Sequence, residues 1–74
     1  MKKYSVRIDG HHTSVTLEEA FWEELCRLAK EQDLPVSALI TEIDRTRDNN
    51  NLSGALRLYV LTCLQDKIRA LSKS

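Results

Sequence analysis

Two cysteines, one proline and two glycines are all this 74-residue chain contains of those types, and aromatic residues make up only 5% of it. Each shortage excludes something. Cys26 and Cys63 have no Cys-x-x-Cys or Cys/His spacing that reads as a zinc site or a disulfide framework. Both fall on apolar helical stripes and read as buried free thiols, which suits a reducing cytoplasm. Nothing resembles a phosphate-cradling glycine loop, and no serine, cysteine or histidine has a neighbour at an activating spacing, so no catalytic residue and no cofactor is expected. No apolar run approaches the roughly 20 residues that cross a bilayer, and Met-Lys-Lys is not followed by a hydrophobic stretch, so no membrane span and no signal peptide are expected. Net charge is missing too: 11 Lys and Arg balance 11 Asp and Glu. A nucleic-acid binder usually carries a clearer basic excess.

What is present is a length that suits one domain, residues 1–74, near the size where a single core is marginal. With disulfides and metals set aside, oligomerisation is left as the support. The charge is unevenly spread. Residues 1–17 sum to plus two, 18–34 to minus four, 35–51 to minus one and 52–74 to plus three, so both ends are basic around an acidic first helix.

The pattern changes period around residues 13–31. Val15 and Leu17 alternate with Ser14 and Thr16, which reads as a strand over 13–17 with one dry face. From Phe21 the spacing is helical: Phe21, Leu25 and Leu28 form one stripe and Trp22, Cys26 and Ala29 a second beside it. Residues 4–8 alternate as well, with Tyr4, Val6 and Ile8 on one face and Ser5 and Arg7 on the other. They form a partner strand or an arm. If Asp9-Gly10-His11-His12 is the loop, Val6 lies opposite Val15 and Tyr4 opposite Leu17; a two-residue Asp9-Gly10 turn would put Val6 opposite Thr13 instead. The longer loop aligns the large apolar groups better. His11 and His12 would then be solvated, and no metal is expected there, because adjacent strand residues point to opposite faces and a third ligand is lacking.

Three helices follow, over about 18–32, 36–47 and 52–71. Thr16 and Glu19 have the spacing of a capping box, Pro35 suits the first turn of the second helix, and Asn51 or Ser53 caps the third. The fold class is α+β, mostly helical. Leu17, Phe21, Leu25, Leu39, Ile40, Ile43, Leu56 and Tyr59 form the expected core. Apolar residues of the third helix spread over more than one face, which points to burial against another subunit.

The ordered motifs Gly10-His11-His12-Thr13-Ser14-Val15-Thr16-Leu17, Phe21-Trp22 and Asn51-Leu52-Ser53-Gly54-Ala55-Leu56-Arg57 resemble those of small bacterial ribbon-helix-helix proteins, over roughly residues 5–62. The resemblance implies an intertwined homodimer whose strands pair antiparallel and enter the major groove of duplex DNA. By position it implies that His12, Ser14 and Thr16 point outward to the bases while Val15 and Leu17 point into the core. It also implies that Val36 and Ser37, opening the second helix, offer backbone amides to a phosphate. Arg7 joins this set as a basic residue near the ribbon. The first reading is therefore a homodimeric, cytoplasmic, DNA-binding transcriptional regulator. A second reading keeps the dimer and the fold but binds a protein partner instead of DNA.

Overall fold

Asp9 and Gly10 set the geometry of everything before the first helix. Both have positive φ, 50° and 81°, as the two central residues of a type I′ turn require. Aspartate tolerates this left-handed region and glycine has no Cβ to clash there. The computed structural model describes residues 1–46 and 51–72. In chain order these form β1 (Lys2–Ile8), β2 (His11–Leu17), α1 (Glu19–Glu31), α2 (Val36–Thr46) and α3 (Leu52–Ser72). Of the helix break expected at Asp48-Asn49-Asn50-Asn51, the first three residues lie outside the described residues, and Asn51 directly precedes α3.

The strands pair antiparallel, with Ile8 opposite His11, Arg7 opposite His12, Val6 opposite Thr13 and Tyr4 opposite Val15. The four-residue loop expected from the sequence is thus replaced by a two-residue turn, and His11 and His12 are strand residues, both exposed. The reason is physical. A register shift of two residues leaves every side chain on its original face, so aligning apolar groups could not choose between the loops, whereas Asp-Gly turn chemistry could. The faces themselves are as expected. Val6, Val15 and Leu17 are buried beneath the sheet, with Tyr4 and Ile8 partly covered.

The capping box does not form. Thr16 still belongs to β2, and Glu18, in an extended conformation with no side-chain cap, precedes the helix. Glu19 therefore opens α1 instead of standing in its third position. The Glu18 carbonyl accepts the Trp22 amide at 3.0 Å, and its carboxylate accepts Arg57 Nε from α3 at 2.7 Å. Trp22 stacks on Tyr4, with ring centroids 4.1 Å apart and planes 7° from parallel, which fixes α1 under the hairpin. Asp33 has φ 59° and the Leu34 amide turns back to the Ala29 carbonyl at 2.9 Å, so α1 stops in a left-handed cap. The Pro35 carbonyl then accepts the amides of Ala38 and Leu39 at 3.0 and 3.2 Å, opening α2. At α3 the cap is Asn51, whose Oδ1 accepts the Gly54 amide at 2.7 Å. A Cβ on residue 54 would stand 3.2 Å from that oxygen, a tight contact to which the Asn51 side chain would have to yield by a few tenths of an ångström.

Leu17, Leu25, Ile40, Leu56 and Val60 are the largest fully buried side chains among the described residues, and Leu39 and Ile43 are buried with them. Phe21 and Tyr59, expected in the core, are only partly buried. Phe21 lies at a groove between α1 and α3 that the chain itself leaves open. Tyr59 keeps its hydroxyl at the surface, where it accepts Gln32 Nε2 at 2.8 Å. Cys26 and Cys63 are free and half-buried, less covered than the sequence suggests; burial nonetheless pushes the Cys26 thiol up.

Candidate nucleic-acid interface

Strand alternation puts Tyr4, Val6 and Ile8 against the helices, so Lys3, Ser5 and Arg7 must face the other way. The pairing sets Lys3 beside Thr16, Ser5 beside Ser14 and Arg7 beside His12. All six side chains are exposed. The outer face of the sheet is therefore a row of short hydroxyls and an imidazole carrying two cations and no carboxylate. Arg7 Nη2 lies 3.0 Å from His12 Nε2; a guanidinium can only donate, so the imidazole nitrogen accepts. Asp44 lies along the β2 edge beside Ser14 and Thr16, whereas the acid at the turn is engaged elsewhere. The Asp9 carboxylate at the turn accepts Arg45 Nη2 from the last turn of α2 at 2.9 Å. Lys2, with the opposite parity, stays off this row and reaches Glu19 at 3.3 Å.

Four of the six residues nominated from sequence, Arg7, His12, Ser14 and Thr16, thus share one surface. Val36 and Ser37 lie apart from them, in the first turn of α2. Val36 packs against the core, and the Ser37 carbonyl accepts Thr41 Oγ1 at 2.9 Å. Lys3 and Ser5 belong to the row but were not nominated. The signal for them was already in the alternation of Tyr4, Val6 and Ile8, had it been continued back to residue 3.

The backbone of β2 adds a second feature. In a two-residue hairpin the pair flanking the turn exchanges hydrogen bonds, and bonded and non-bonded pairs alternate from there. Ile8 with His11, Val6 with Thr13 and Tyr4 with Val15 are then the bonded pairs. The amides and carbonyls of His12, Ser14 and Thr16 point away from β1, along an open edge. The contact that Ser53 Oγ makes, donating to the Thr16 carbonyl at 2.8 Å from outside the sheet, agrees with this parity.

The helical side has a different character. Glu18 is held below the ordinary carboxylate range chiefly by its bond from Arg57, and Glu31 chiefly by its bond from Lys67, Nζ to carboxylate 2.8 Å. Arg27 bridges Glu24 and Glu31 on the same helix. The Arg57 and Lys67 pairs join the two ends of α1 to α3, and the acids of this side are thereby taken up away from the cationic row. Among the described residues no group of three or more His, Cys, Asp or Glu could hold a metal ion, and no helix is long and apolar enough to cross a membrane.

A family model described as a ribbon-helix-helix domain matches residues 1–64. No curated protein and no solved structure matches the chain.

Proposed function

The chain belongs to the ribbon-helix-helix domain family, and from that premise we propose that it is a homodimeric transcriptional regulator that lays the outer face of its sheet on duplex DNA. Family membership supports DNA-binding regulation in general, and the domain is non-catalytic. The observation that carries the finer reading is the row Lys3, Ser5, Arg7, His12, Ser14 and Thr16, exposed throughout and free of acidic side chains.

The edge of β2 supports the dimer. Its outward amides and carbonyls belong to His12, Ser14 and Thr16, and a second β2 running antiparallel about Ser14 matches them: Ser14 to Ser14 of the second copy, His12 to Thr16. The contact is isologous, as a two-fold dimer requires. The product is a four-stranded sheet with the two β2 strands in the middle. Strands lie about 4.8 Å apart, so the central pair fits a major groove about 12 Å wide while the full sheet does not. His12, Ser14 and Thr16 then face base edges, and the outer β1 strands carry Lys3 and Arg7 toward the phosphates on either wall. Val36 and Ser37 add helix-start amides, a second phosphate contact in the dimer.

Short hydroxyls discriminate bases weakly, so phosphate contacts supply most of the affinity. Titrating labelled duplex at several salt concentrations tests this reading, because each phosphate neutralised adds about 0.9 to the slope of log affinity against log salt. No binding to any pooled genomic duplex at low salt, together with a protein that co-purifies, would favour the protein-interaction reading instead.

A further inference from the structure

We propose that the exposed side of α3, Leu61, Leu64, Ile68 and Leu71, packs against the same residues of a second copy and so closes the dimer at a point away from the sheet. This rests on the homodimer proposed above and adds to it a contact that the sheet edge alone does not require.

The spacing of these four residues, three then four then three, is the a/d spacing of a helical seam. Three of them are largely uncovered: Leu61 is 50% exposed, Ile68 63% and Leu71 76%. Leu64 is half-buried and lines the groove between α1 and α3, about 210 Å³, with Ala20, Phe21, Glu24 and Val60. The seam and the groove are thus continuous, and the groove explains why Phe21 is not fully covered within one chain. Solvating such a surface is costly. The chain exposes 5218 Å², against about 4,700 Å² for a folded monomer of its 8.5 kDa mass. A stable dimer buries about 800 Å² on each partner. One strand edge supplies little apolar area, so the remainder must come from elsewhere.

Position selects the second copy as occupant. Leu64 and Leu71 lie about three and about five turns beyond Ser53 at 3.6 residues per turn, so they share its side of α3. Ser53 is the residue that touches the Thr16 carbonyl at the open edge of β2. Arg57, one turn on, holds Glu18 at the end of that strand. The apolar seam therefore continues along the same side of the helix that meets the pairing edge, and a copy arriving at β2 meets α3 next.

Sedimentation equilibrium of the full chain tests this, with the wild type beside the double variant Ile68→Glu/Leu71→Glu. Both positions are exposed, so circular dichroism should report the same helix content for each. The expected result is a wild-type dimer at micromolar concentration and a dissociation constant raised at least about a hundredfold in the double variant; Ile68→Leu/Leu71→Met should restore wild-type association. Equal dissociation constants for wild type and the Glu variant would overturn the α3 contact while leaving the β2-edge dimer standing. A wild type that is monomeric at every concentration, or that associates through these residues only with a different protein, would overturn both.

Discussion

The Ser53 hydroxyl donates to the Thr16 carbonyl at 2.8 Å, joining the first turn of α3 to the outer edge of β2. Ser53 thus does not serve as the helix cap, which is Asn51; it marks which backbone groups of β2 face away from the hairpin.

That parity predicts opposite outcomes for proline at neighbouring positions. The Ser14 amide points outward and takes no part in the hairpin, so Ser14→Pro should leave the chain folded, as proline is tolerated where the strand amide faces solvent. It should still weaken the dimer, because pairing about Ser14 needs that amide. Val15→Pro removes a bonded amide within the hairpin and should destabilise the fold itself. Thermal melts and sedimentation of the two variants check this, and a Ser14→Pro dimer as tight as wild type would mean the copies do not meet at β2.

Side-chain truncation should distinguish the true core from the groove. Leu39 is buried in the core cluster, so Leu39→Ala should cost about 2–5 kcal/mol in denaturant unfolding. Phe21→Ala should cost less in a dilute, monomeric sample, where its ring is only partly covered, and more where the dimer covers the groove. Equal losses at both concentrations would place Phe21 outside any interface.

Acid should loosen α1 from α3. Glu18 and Glu31 have carboxyls lowered by their bonds from Arg57 and Lys67. A carboxyl lowered in the folded state contributes stability that is full above its unfolded pKa and lost as pH falls through the folded value. The melting temperature should therefore fall below the ordinary carboxylate range, and Arg57→Met with Lys67→Met should flatten that fall. Both pairs are substantially solvent-exposed, so the effect should be modest and should shrink in high salt. A pH dependence unchanged by the two substitutions would show that other carboxyls control it.

How far the sequence carried can be judged at particular residues. Helix positions were legible because Leu25, Leu28, Leu39, Ile40, Ile43 and Leu56 keep a strong period, and Pro35 marks a boundary. The faces of the hairpin were legible for the same reason. Its register was not, since a two-residue shift preserves both faces; only the backbone demands of Asp9-Gly10 decide it. The Thr16–Glu19 spacing misled because a capping motif has meaning only where a helix begins, and here the strand runs on to Leu17. Of the site, Arg7, His12, Ser14 and Thr16 came out together; the alternation that puts Ser5 on the face of Arg7 carries Lys3 as well once it is continued back to residue 3, and the pairing adds only which β2 residue each one faces. The chain's neutrality concealed the cationic row, because its balancing acids sit on α1.

Whether this row meets DNA in a dimer is tested by the salt dependence of binding. Four to six phosphate contacts per dimer predict a slope of log affinity against log salt of roughly minus four to minus five, at about 0.9 per contact. Arg7→Ala should flatten it by up to about two units, one for each copy, and Lys3→Ala should act in the same direction. Ser14→Ala and Thr16→Ala should change sequence preference with little change in slope. A wild-type slope near zero, or a slope untouched by Arg7→Ala and Lys3→Ala together, would contradict the account.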